Sequence, residues 1–167
     1  MREESMKALI LYRSFYGNTK ALAEAMARGI SDLGHQCVVQ DLRQRLPALE
    51  DFDCAVIGSP TRMARPGHRA LRTLRKLKRR GFAGKPVGLF DTYGPLPPTP
   101  EEREKARTWI TPGAAGIMEK TARDLGLNVH GQAQRFEVSG MKGPLAEGAL
   151  EKAAAFAREL AQSVEPR

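Results

Sequence analysis

Two cysteines in 167 residues leave nothing from which to build a disulfide framework. Cys37 and Cys54 lie in apolar runs (Cys37-Val38-Val39, Cys54-Ala55-Val56-Ile57) and read as buried thiols. Histidine is as sparse: His35, His68 and His130 share no ligand spacing, which leaves a metal centre without a donor set. No apolar run approaches the roughly 20 residues that span a bilayer. The opening Met1-Arg2-Glu3-Glu4-Ser5-Met6-Lys7 has no apolar signal region and no small-residue cleavage site, so a cytoplasmic location is expected. Absent too are Gly-x-x-x-x-Gly-Lys-Ser/Thr and Gly-x-Gly-x-x-Gly after a strand, which speaks against a P-loop NTPase and a dinucleotide fold. A phospho-acceptor receiver would need acidic residues after its first strand and an aspartate closing its third. Arg13-Ser14 and Ser59 stand there instead.

What is present is a strand and helix alternation. Ala8-Leu9-Ile10-Leu11-Tyr12 is a continuous apolar run of the kind that forms a central parallel strand covered on both faces. Leu22, Ala25, Met26, Gly29, Ile30 and Leu33 then recur at helical spacing up to Gly34. Further strand-like runs follow at 37–39, 54–58 and 87–90, with a weaker one at 129–138. Helical patterns at 67–80, 113–126 and 145–162 separate most of them. Alternation of this kind predicts a parallel sheet with right-handed crossovers and helices on both faces. The length fits one domain, residues 1–167 with a core over about 7–162. Segment 42–52 predicts at most a short helix. Segment 91–112, with Pro95, Pro97, Pro98, Pro100 and Pro112, reads as one long irregular connection.

Ligands of open α/β sheets bind outside the carboxyl ends of the strands, so the loops after strands one, three and four carry the chemistry. The first runs Ser14-Phe15-Tyr16-Gly17-Asn18-Thr19 into a helix N-terminus. Unpaired backbone N–H groups and the positive end of the helix dipole can cradle a phosphate there. Gly17 permits a close backbone approach, and Ser14, Asn18 and Thr19 can donate to phosphate oxygens. The competing reading is that Asn18 or Thr19 simply caps the helix. The second loop is Gly58-Ser59-Pro60-Thr61-Arg62-Met63-Ala64-Arg65-Pro66; it is read either as a ligand wrap or as a tight proline-containing turn. The third, Phe90-Asp91-Thr92-Tyr93-Gly94, offers Tyr93 as a stacking ring beside backbone donors at Thr92 and Gly94. Trp109 is an alternative ring cover, although a lone tryptophan beside a helix reads more readily as a core plug.

On these residues the sequence resembles the flavodoxin family. Ser14, Gly17, Asn18 and Thr19 match its phosphate loop, Ser/Thr-x-Ser/Thr-Gly-Asn-Thr. Tyr16 is similar to the tyrosine of the tryptophan-repressor-binding type of NAD(P)H:quinone oxidoreductase. Pro60, Thr61 and Arg62 match the Pro-Thr-Arg-aromatic-Gly-Asn flavin loop of those enzymes, with Met63 in place of the aromatic and Ala64-Arg65 in place of Gly-Asn. Thr92-Tyr93-Gly94 resembles the Ser-Tyr-Gly of the flavodoxin modules in flavo-diiron proteins. The resemblance implies a flavodoxin-like three-layer sandwich with a five-stranded parallel sheet in the order 2-1-3-4-5. It implies flavin mononucleotide (FMN) as cofactor, with the phosphate at Ser14 to Thr19 and the ring among Tyr16, Pro60 to Met63 and Thr92 to Gly94.

The net charge is +8. Between 62 and 80 the chain has Arg62, Arg65, His68, Arg69, Arg72, Arg75, Lys76, Lys78, Arg79 and Arg80 and no acidic residue. The basic helix at 67–80 reads as a solvated face or as a surface that steers an anionic partner, whether an acidic redox protein or the phosphates of NAD(P)H. Nucleic acid is the weaker expectation, because no recognition motif accompanies the charge and aromatics make up only 6%. Two functions compete. One is an FMN-dependent electron carrier or oxidoreductase acting on a small acceptor such as a quinone, with no catalytic side chain required. The other is a binding module that has lost FMN. Oligomeric state is open, since the resembled quinone reductases are tetramers and simple flavodoxins are monomers.

Overall fold

A computed structural model describes residues 5–82 and 84–165, so the outermost residues of the expected 1–167 domain lie outside it. Strand β1 (Lys7–Tyr12) buries Ala8 to Leu11 completely. Side chains alternate across a strand, so Ala8 and Ile10 feed one core while Leu9 and Leu11 feed the other. Both faces are covered for this reason. β1 pairs in parallel with β2 (Gln36–Asp41) on one side and β3 (Cys54–Pro60) on the other, with Ile10 between Val39 and Val56. β4 (Pro86–Tyr93) continues the sheet beside β3. The order is β2-β1-β3-β4 and then a fifth position, as the resemblance implied.

That fifth position is filled by two pieces. β5 (Asn128–Val129) pairs with Pro86 and Val87, and β6 (Gln134–Glu137) pairs with Phe90 to Tyr93. Residues 130–133 loop out between them. Arg123 and Glu119 hold the excursion by bonding the Gly131 carbonyl at 2.7 Å and the Ala133 N–H at 2.6 Å. A weak apolar signal over 129–138 is what such a broken strand produces.

Helices α1 (Asn18–Ser31) and α5 (Ala149–Gln162) cover one face, with Leu22, Met26, Phe156 and Leu160 packed on Ala8, Ile10 and Val56. Helices α2 (His68–Arg79) and α4 (Gly113–Asp124) cover the other through Leu74, Leu77, Met118 and Ala122. Segment 42–52 holds a single 3-10 turn, Leu49–Asp51. Cys54 is buried and Cys37 half-buried, and burial pushes both thiols up to about 12.

One expectation fails. Segment 91–112 is not an irregular connection: β4 runs on to Tyr93, and Pro100–Ile110 is a helix, α3. The start code is complete, with the Thr99 hydroxyl accepting the Glu102 N–H at 3.2 Å, Pro100 in the first turn and Glu101 and Glu102 at the positive dipole end. None of its residues is buried, so it lacks the apolar stripe by which a helix is recognised in sequence. Trp109 lies on this helix 59% exposed, which excludes it as a core plug.

Candidate functional site

The carboxyl ends of β1, β3, β4 and β6 open into a cleft of about 260 Å³. Ser14, Tyr16, Asn18 and Thr19 line it from the first loop, Pro60, Thr61, Arg62 and Met63 from the second, and Thr92, Tyr93 and Gly94 from the third. Every residue to which the resemblance assigns the flavin, except Gly17, is therefore on one wall or another. Phe15, Val138 and Met141 complete the lining. Val138 and Met141 come from the loop after β6. The carboxyl-end rule applies to that strand as much as to the others, but its loop carries no motif in the sequence.

The floor of the cleft is the amino end of α1. Gly17 takes φ +95°, a left-handed conformation that suits glycine, and its N–H donates to the Ser14 hydroxyl at 3.0 Å. No side chain caps α1, and no acidic residue stands in its first turn. The N–H groups at the start of the helix are thus left for an anion, which favours the phosphate cradle over the simple cap. Two hydroxyls beside this floor are already paired: Thr19 Oγ1 and Thr92 Oγ1 lie 3.0 Å apart, and both residues are buried. The side-chain amide of Asn18 packs against the backbone of Gly143.

The second loop is a tight turn as well as a cleft wall. Arg62 and Arg65 exchange backbone hydrogen bonds at 2.9 and 3.1 Å, and Met63 and Ala64 between them take φ 52° and 64°. This is the type I′ geometry that Asn-Gly adopts without strain and other residues adopt at a cost. Met63 is held 75% exposed at its tip. Phe15 ties this loop to the first, because the guanidinium groups of Arg13 and Arg62 lie over its ring at 4.2 and 4.4 Å.

Below the second and third loops sits a polar cluster built on Asp91, which is fully buried. Its carboxylate accepts Arg135 Nε and Nη2 at 3.0–3.2 Å, the Thr61 hydroxyl at 2.6 Å and the Ala115 N–H at 3.2 Å. Thr61 Oγ1 accepts the Ala114 N–H at 2.7 Å, and Arg135 Nη2 donates to the Ile110 carbonyl at 2.8 Å. Two strand ends thus cap the amino end of α4. A side chain at Gly113, φ +74°, would collide with the Arg135 guanidinium, so the helix approaches this closely only with glycine there. The Thr61 hydroxyl is committed to protein partners and works as an anchor for its loop. Arg135 also lies 4.3 Å from the Tyr93 ring centre. Burial, with the nearby Glu137 carboxylate adding to it, raises the Tyr93 phenol above its ordinary pKa and keeps the ring neutral.

A family model of the flavodoxin domain matches residues 9–145. Over 97 residues the chain is 31% identical to a putative diflavin flavoprotein of Thermosynechococcus vestitus; the match covers 55% of this chain and 17% of that one. An archaeal flavodoxin structure superposes with a TM-score of 0.71 at 20% identity, covering 94% of this chain and 97% of the other. A metal-soaked flavodiiron core from Synechocystis gives a TM-score of 0.71 at 21% identity, covering 95% of this chain and 36% of its own.

Proposed function

The chain belongs to the flavodoxin domain family, and we propose that it is an FMN-dependent redox protein whose flavin lies in the four-loop cleft. Family membership implies FMN binding and a redox role. The observation that carries the assignment to this cleft is the uncapped, acid-free amino end of α1 beneath loops whose exposed apolar side chains rim the opening. The phosphate is assigned to the N–H groups at the start of α1 with the Ser14 hydroxyl, and the ring to the space among Tyr16, Met63, Tyr93 and Met141. Bound FMN supplies the electron chemistry, accepting electrons or a hydride and passing them on. The protein's own work is to anchor the phosphate, hold the ring and shield it from water.

The Pro60-Thr61-Arg62 loop supports reduction of a small acceptor such as a quinone over a pure carrier role, with NAD(P)H or a redox protein as donor. The flavin-free alternative rests on Met63, Ala64 and Arg65. Met63 nonetheless presents a thioether on the cleft wall, a workable neighbour for an aromatic surface, and this favours the flavin reading.

Ser14→Asp tests the phosphate assignment, because it moves stability and binding in opposite directions. A carboxylate there keeps an acceptor for the Gly17 N–H and adds a negative charge at the positive end of α1, worth about 0.3–1 kcal/mol to the flavin-free protein. The same charge repels the phosphate. Titration by quenching of flavin fluorescence should show affinity reduced about a hundredfold or more, a change of about 2.7 kcal/mol, with the melting point of the apoprotein unchanged or raised. Undiminished FMN affinity would place the phosphate elsewhere.

A further inference from the structure

The positive charge is concentrated in one place. Residues 62–80 hold nine of the 27 Lys and Arg and none of the 19 Asp and Glu, so the remaining 148 residues carry 18 basic against 19 acidic side chains. An almost neutral body therefore bears one strongly cationic segment. Among the described residues, none of these nine cations has a carboxylate within 4.0 Å, although other basic side chains of the protein find such partners. A segment that served only to stay hydrated would relieve its self-repulsion with interspersed acids.

The arrangement on α2 is ordered. Ala70, Thr73, Leu74 and Leu77 face the core. At 100° per residue, Arg69, Arg72, Lys76 and Arg79 fall within an arc of about 80° whose centre lies about 130° from that of the buried residues, in a row about 15 Å long. α2 follows the second loop directly, so the row begins beside Arg62 and Arg65 at the lip of the cleft and runs away from it. At that lip Phe15, Tyr16, Met63 and Met141 are exposed by 46%, 52%, 75% and 70%. An apolar patch beside a polar, charged flank is the anatomy of a transient protein interface.

We propose that this cationic row docks an acidic protein redox partner, aligned along α2 so that its redox group faces the apolar lip; the proposal rests on the flavin reading of the cleft. A nicotinamide dinucleotide gathers its few negative charges on its phosphates and presents no continuous acidic face to the row. Single-stranded nucleic acid would call for aromatic side chains interleaved with the cations, and α2 has none.

A fluorescein-labelled acidic [2Fe–2S] ferredoxin serves as the probe, titrated by anisotropy against the full chain at ionic strengths of about 0.01 and 0.5 M. R69E/R72E/K76E/R79E reverses the row, and R28E/R45E/K120E/K152E makes the same change in net charge on exposed side chains elsewhere. At low salt the row variant should lose about tenfold or more in affinity and the control variant less than about threefold, with the difference vanishing at high salt. Equal losses in the two variants, or none in either, overturn the proposal. So does a short oligo-dT that binds more tightly than the ferredoxin at matched salt. FMN uptake is scored separately by absorbance: its failure would remove the flavin reading while leaving the docking comparison intact.

Discussion

Replacing Asp91 with alanine should lower the melting temperature by about 9 °C and loosen the FMN site of the molecules that stay folded. The carboxylate is fully buried and receives Arg135, Thr61 and the Ala115 N–H. Removing one member of a buried charge pair costs about 3–5 kcal/mol, because the other is left desolvated and unmatched. The Arg135 side chain is 29% exposed, so water reclaims part of it and the lower end, about 3 kcal/mol, applies. An unfolding entropy of about 2.1 cal/mol/K per residue gives about 0.35 kcal/mol/K for 167 residues, and hence the shift of about 9 °C. Circular dichroism melts measure it. Asp91→Leu combined with Arg135→Met removes both charges and should melt above Asp91→Ala, since no buried cation is orphaned. Freed Thr61 and Tyr93 walls should weaken FMN binding about tenfold, or about 1.4 kcal/mol. A single variant that melts within about 3 °C of the parent, or a double variant no more stable than the single, would refute the electrostatic account.

Two further outcomes are expected. Ala64→Gly relieves the left-handed strain of the Arg62–Arg65 turn at the cost of added freedom in the unfolded chain; the balance is about 0.5–1 kcal/mol in favour, a rise of about 2 °C in the melting point, and no rise would mean that the turn is unstrained. Cys54, whose thiol is held near 12 by burial, should make the protein lose stability with alkali: the unfolded thiol ionises near pH 9 and the folded one does not. The contribution is intact below about pH 9 and is lost between about pH 9 and 12, and the loss reaches about 1.4 kcal/mol at pH 10. Urea midpoints of Cys54→Ala should show a correspondingly shallower decline from pH 8 to 10.

The parts of this protein that were legible in sequence share a cause. β1 and β3 are buried on both faces and therefore continuous in apolar residues. A loop that is to hold a phosphate must combine small, polar and positive-φ residues in a fixed order, so Ser14 to Thr19 stands out. α3 was hidden because it buries nothing, yet Thr99, Pro100 and Glu102 spell its start. β5 and β6 were blurred by the four residues that interrupt them. Arg135 lay outside every motif, since its role depends on a register in which β6 sets it beside Asp91. Asp91 did carry a signal: a carboxylate closing the buried run Val87 to Phe90 calls for a cation or other donors to pair with it.

Side chains that look like ligand contacts in sequence divide, in the structure, into those that hold the cleft together and those left available. Thr61 is spent on Asp91 and Ala114, Thr19 and Thr92 on each other, and Phe15 on two guanidinium groups. The walls are therefore braced by protein contacts before any ligand arrives, which reduces the ordering cost that binding must overcome. The available groups are the amino end of α1 at the floor and Tyr16, Met63 and Met141 at the opening. That division places charge recognition deep in the cleft and apolar contact at its mouth, where a docked protein would meet it. The cation row on α2 begins at the same mouth. A partner held by that row would be brought against the exposed edge of the cleft, so under the proposal one short stretch, residues 62–80, would both line the cleft and orient what reaches it.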